Sequence, residues 1–167
     1  MKKFRVALLQ IAPEGRLSEN LKKGEKYCRM AKEKDVDIAL FPEMYSNGYN
    51  IYNRPVEDWK AEAIDSDSDF VIELGRLANK LNLAIGITFL ERYNDSPRNA
   101  MTLFDRFGER KFMYAKVHTC DFDVERNQHS NKIFFDFHHI DQLNLFLELT
   151  IYILFLHFQL CILNLNY

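Results

Sequence analysis

The six glycines of this sequence end at Gly108 and the four prolines at Pro97, and every Ala, Val, Arg, Met and Trp lies at or before Asn127. Turns and close helix–sheet contacts depend on these residue types, so a folded domain has to be built from the segment that contains them. One domain is therefore expected over residues 1–127. Residues 128–167 form a tail of Phe, Leu, Ile, Asn, Tyr, His and Gln with few others. AT-rich DNA read without selection for protein yields such a composition. The tail is accordingly read as a frameshift, readthrough or gene-model product, with a genuine tail as the alternative.

Within residues 1–127 the apolar period switches between strand and helix. Phe4 to Ile11 reads as a buried first strand closed by Pro13 and Gly15. Ser18 is the expected N-cap of a helix whose Leu17, Leu21, Gly24, Cys28 and Ala31 recur at helical spacing. Lys22, Lys23, Glu25, Lys26, Arg29 and Lys32 fill its other face. Asp35 and Asp37 break the helix, and Ile38-Ala39-Leu40-Phe41 suits a buried parallel strand. This β-α-β order implies an α/β fold.

After Pro42 the period lapses for about 20 residues, long for a connection inside a compact domain. Tyr45, Tyr49, Tyr52 and Trp59 are its aromatic anchors. Asp67 or Ser68 then caps a second helix, with Phe70, Val71, Leu74, Leu77, Ala78 and Leu81 on one face. Strands are expected at Leu83–Leu90, Met101–Phe104 and Lys111–Tyr114, with turns at Asn94–Pro97 and Asp105–Gly108.

Several function classes are set aside by what the sequence carries. A formal net charge of −2 provides no basic field for nucleic acid. Cys28, Cys120 and Cys161 have no CxxC spacing, which suggests a reducing compartment. The basic start is followed by an apolar stretch that stops at Pro13 with no cleavage pattern, so a strand and a cytoplasmic location are expected. His129, His138, His139 and His157 match no zinc spacing, and phosphate loops, GxSxG elbows and Rossmann glycine patterns are absent. Neither a metal nor a cofactor is expected. Leu143–Leu163 approaches the length of a membrane span, but Glu148, His157 and Gln159 within it are costly, and membrane attachment ranks last.

Four residues could carry chemistry. Glu43 follows the second strand directly, behind a proline that fixes the turn, and ligands in open α/β sheets gather beyond the carboxyl ends of strands. A surface carboxylate is the plainer alternative. Lys116, just past the last strand, could stabilise a developing oxyanion or simply be solvated. His118 is read as a structural histidine of the same loop. Cys120 lies near Lys116 and His118, surroundings that would lower a thiol pKa, although most free cysteines are small buried residues. Cys28 is expected in the core.

The ordered set Arg5-Val6-Ala7-Leu8-Leu9-Gln10, Asp37-Ile38-Ala39-Leu40-Phe41-Pro42-Glu43, Gly48-Tyr49, Arg98-Asn99-Ala100 and Lys116-Val117-His118 resembles the nitrilase, or carbon–nitrogen hydrolase, superfamily over residues 3–127. The resemblance implies an α-β-β-α sandwich, incomplete here. It also implies hydrolysis of non-peptide C–N bonds in small amides, carbamoyl compounds or nitriles by a Glu-Lys-Cys triad without a metal, in a homo-oligomer. By the motifs, Glu43 would be the general base and acid and Lys116 the oxyanion stabiliser. Asn99 falls on a family position read as structural. The family's nucleophilic cysteine follows a later strand in a Gly-rich context. Cys120 stands too early for it and Cys161 lacks the elbow, so the triad is expected to lack its thiol.

Three readings follow. The first is an amidase-type enzyme whose sequence is altered after Asn127 and which, as written, is inactive. The second is a non-catalytic binding or oligomerisation fragment, and the third is a protein attached to a membrane through its tail.

Overall fold

The β-α-β order expected of the amino-terminal part forms, and it is extended by a second helical crossover. The computed structural model describes residues 4–48, 54–94 and 96–116. The elements are β1 (Val6–Leu8), α1 (Leu17–Glu33), β2 (Ile38–Leu40), α2 (Val56–Lys60), α3 (Asp69–Leu81), β3 (Ala84–Glu91), β4 (Arg98–Phe104) and β5 (Arg110–Ala115). They form one sheet in the order β1-β2-β3-β4-β5, parallel through β3 and antiparallel from there to β5. The expectations placed on Tyr49, Tyr52, His118, Cys120 and the tail, including its domain boundary, lie outside the described residues.

Helices α1 and α3 cover one face of the sheet. Cys28 and Ala31 of α1 and Phe70, Val71, Leu74, Leu77 and Ala78 of α3 share a core with Ala7, Ala39, Ile85, Ile87, Phe89, Ala100 and Phe104. Close approach requires small residues on both helices. A Cβ on Gly24 would come within 2.7 Å of the Phe41 ring, and one on Gly75 within 2.7 Å of the Phe104 ring. The alternation of β3 sends Gly86, Thr88 and Leu90 to the other face. There Leu8, Leu40, Gly86, Leu103 and Phe112 make a single rung across all five strands.

Some boundaries differ from expectation. α1 starts at Leu17 with Arg16 as N-cap in place of Ser18, because the amides of Glu19 and Asn20 both donate to the Arg16 carbonyl. The first strand is shorter than Phe4–Ile11: only Val6–Leu8 pairs with β2, and Phe4 is exposed. α2 falls inside the expected loop; five residues are too few to display a helical period. β4 starts at Arg98, before Met101, and β3 runs one residue beyond Leu90 to Glu91. A buried charge at a strand end is tolerated here because Arg98 Nη2 lies 2.5 Å from the Glu91 carboxylate. The turn at Asp105–Gly108 is as expected: Gly108 takes φ +78°, and Asp105 Oδ1 accepts from the amides of Phe107 and Glu109.

The segment between β2 and α3 leaves the sheet and then returns to it. The Phe41 amide makes the last β2 ladder bond, to the Gly86 carbonyl at 3.0 Å. Further along the same edge of β3, Ile64 forms a parallel bridge with Glu91, donating to Leu90 and accepting from Arg92. Ile64 thus resumes the position that β2 vacated.

Candidate active site

The site lies where β2 ends and the chain turns over the sheet edge. Pro42, which has no amide donor and a fixed φ, leads into Glu43, and Met44 follows in the left-handed region at φ +56°. The amides of Asn47 and Gly48 both close on the Met44 carbonyl, at 3.2 and 2.6 Å. Non-glycine residues adopt this conformation only where their surroundings hold it. Here Met44 is packed with Trp59, Ala63 and Leu90 in a small second core. The expected aromatic anchors Tyr45 and Trp59 are both buried.

Two donors from elsewhere in the fold converge on Glu43. Lys116 Nζ lies 2.6 Å from Oε1, and Asn99 Nδ2 donates to the same oxygen at 2.6 Å. The three positions come from the end of β2, the start of β4 and the end of β5. Because β4 runs antiparallel to its neighbours, its first residues meet the last residues of the strands beside it. The Glu43 and Lys116 side chains are 26% and 32% exposed, so the pair is partly desolvated yet open to solvent on one side. Asn99, read from sequence as structural, touches the carboxylate directly. Arg98-Asn99-Ala100 marked this position in the sequence, but not its partner, which stands 56 residues away.

A layer of polar groups beneath the turn was not singled out by sequence. Thr88 Oγ1 donates to the Pro42 carbonyl and accepts from the Tyr45 amide at 3.2 Å. The Leu90 amide donates to Ser46 Oγ at 3.0 Å, and Asn20 Nδ2 donates to the Ser46 carbonyl at 3.0 Å. Tyr45 donates its hydroxyl to the Asn20 carbonyl at 2.9 Å, and burial raises its pKa. Polar residues within otherwise apolar strand and helix faces were the available signal.

Cys28 is buried in the helix–sheet core, where burial pushes its thiol up to about 12. There it stays protonated. Among the described residues no group of three His, Cys, Asp or Glu side chains could hold a metal ion, and no helix is long and apolar enough to cross a membrane. Arranged in this way, the site can hold an ionised carboxylate against a cation, orient it, and exchange a proton with a group brought to its open side.

The sequence pattern of carbon–nitrogen hydrolases matches residues 5–139. The chain belongs to the carbon–nitrogen hydrolase family. Among curated relatives, an N-carbamoylputrescine amidase from Oryza sativa subsp. japonica is 26% identical over 119 residues, which cover 71% of this chain and 40% of that protein. A citrullinase from Francisella tularensis is 26% identical over 121 residues, covering 72% and 42%. The chain thus spans about two-fifths of the length of these relatives. Among solved structures, the NitN amidase from Nesterenkonia sp. AN1 superposes with a TM-score of 0.55 at 20% identity, over 70% of this chain and 45% of that one. The C. elegans NitFhit protein does so at 0.64 and 18%, over 80% and 33%. At these identities the likeness is one of fold. The described helices and sheet correspond to part of the carbon–nitrogen hydrolase sandwich.

Proposed function

We propose that this chain supplies the Glu43–Lys116 portion of an amidase-type active site that hydrolyses a non-peptide C–N bond in a small amide or carbamoyl compound. The observation that carries this reading is the convergence of Lys116 and Asn99 on one oxygen of Glu43. The names of the curated relatives, amidases acting on carbamoyl compounds among them, support the substrate class.

In this reading Glu43 takes the proton of a cysteine thiol, and the thiolate attacks the carbonyl carbon. The oxyanion of the tetrahedral intermediate forms beside Lys116. Glu43 returns the proton to the nitrogen as the C–N bond breaks, leaving a thioester. It then takes a proton from water, whose oxygen displaces the sulfur, and passes that proton to the departing thiolate; the acid product leaves and the Glu43 carboxylate and the thiol are regenerated. The Gly-rich cysteine elbow of the family is absent from this sequence. The 167-residue chain by itself is therefore expected to give no thiol-dependent turnover.

Two preparations test the reading. The chain as it stands is assayed for ammonia release from simple amides and N-carbamoyl amines. Turnover lost in Cys120→Ala but kept in Cys28→Ala would show that the nucleophile had been missed. Residues 1–116 are also joined to the second half of the Oryza N-carbamoylputrescine amidase. That chimera should be active and should lose activity in Glu43→Gln; full activity in that variant would remove Glu43 from the chemistry.

A further inference from the structure

We propose that Thr88 is a positioning residue for Glu43: its single hydroxyl holds the main chain on both sides of the carboxylate-bearing turn. The functional meaning of this role rests on the reading of Glu43 given above, but the geometry stands apart from it.

Thr88 lies in β3, where it is 3% exposed on the face of the sheet opposite the helices. Its hydroxyl donates to the Pro42 carbonyl and accepts from the Tyr45 amide. These two groups bracket Glu43 and Met44. A group that donates and accepts through one atom is needed, and a hydroxyl is the smallest that does so. Valine would match its shape and supply neither bond, whereas serine would supply both.

The need arises from how the sheet edge is organised. Gly86, Leu90 and Arg92 all present backbone groups to the edge that β2 occupies. The β2 ladder stops at Phe41, and Ile64 takes over at Leu90. Between these points the chain turns outward to display Glu43, so backbone pairing there gives way to side chains. Thr88 Oγ1 fills the first gap and Ser46 Oγ the second. Met44, held at φ +56°, gives this turn a conformation that would relax if released. Removing the hydroxyl leaves the Pro42 carbonyl and the Tyr45 amide without that partner in a buried place, a loss large enough to move a two-residue turn. Glu43 Oε1 would then leave the Asn99 and Lys116 donors.

The test uses the full chain labelled with 15N and reads hydrogen exchange of the Asn99 side-chain amide, which reports on the Glu43 contact without requiring turnover. Glu43→Leu, which removes the acceptor, identifies the resonance and sets the released value. Thr88→Val should speed the exchange about tenfold, the size expected for releasing the one hydrogen bond from Asn99 to Glu43, while Thr88→Ser should keep the wild-type rate. Thr102→Val is the control. Thr102 is also fully buried and donates to the Phe112 carbonyl, but it lies away from the turn. Equal acceleration in Thr88→Val and Thr102→Val would reduce Thr88 to a general stabilising role and overturn the proposal, as would no change in Thr88→Val. Should Thr88→Val fail to fold, Thr88→Ala is read in the same way, and a wild-type Asn99 rate there would overturn the proposal. A chimera indifferent to Glu43→Gln would instead overturn the catalytic reading and leave the Thr88 result standing.

Discussion

The backbone amide of Lys116 donates to the backbone carbonyl of Asn99 at 2.8 Å, so the two residues whose side chains grip Glu43 are also tied to each other. Their donor groups reach the carboxylate as a preset pair. Lys116→Met should therefore leave Asn99 in place and the turn folded. With both charged side chains partly exposed, the stability loss should be about 1 kcal/mol by chemical denaturation. In the chimera the same change should lower kcat by about 100-fold or more if, as proposed, its charge stabilises the transition state. A large loss of stability with little loss of rate would point to a purely structural ion pair.

Cys28 should be inert. With its thiol raised to about 12 by burial, folded protein treated with iodoacetamide at pH 8 should remain unmodified at Cys28, as read by mass spectrometry. The urea-unfolded chain should be alkylated there. A thiol that holds its proton longer in the folded state contributes stability that is present below 9.0 and lost as pH climbs from 9.0 towards about 12.

Glu91 should make stability depend on pH in the acid range. Burial raises its carboxyl above the ordinary 4.5, opposed by the Arg98 guanidinium beside it. The folded chain then holds this proton more tightly than the unfolded one. The contribution is complete below 4.5 and is lost as pH rises through the folded value. Urea midpoints for Glu91→Gln should therefore gain on wild type as pH increases from 4.5. A difference independent of pH would contradict the raised carboxyl.

Gly75→Ala sets two effects against each other. Alanine is the better helix former by about 1 kcal/mol. The new Cβ, however, would lie 2.7 Å from the Phe104 ring, and overpacking of this kind costs about 1–3 kcal/mol. The expected result is a lower Tm. A higher Tm would mean that Phe104 can move aside without loss.

Much of this fold was legible because its signals are local. The α1 stripe of Leu17, Leu21, Gly24, Cys28 and Ala31 and the turn at Gly108 need only their neighbours to be recognised. Glu43 was legible because a strand and a proline stand directly before it, and Lys116 because it ends a regular hairpin. The partner of Asn99 was not legible, and Thr88 was overlooked, because each acts through a residue more than 40 positions away. The strand expected to end at Leu90 runs on to Glu91, where Arg98, seven residues away, compensates the charge. The α2 helix escaped because it is anchored by Trp59 in the second core and carries no period of its own.

The return of Ile64 to the position vacated by β2 makes the stretch between Pro42 and Ile64 a detour whose two ends are pinned to one strand. Apart from Glu43 and the buried Met44, Tyr45, Ser46, Trp59 and Ala63, side chains of the detour can be exchanged while the spacing of the surrounding strands stays fixed. A scaffold organised in this way lets the loop drift among descendants while the Glu43 carboxylate keeps its address.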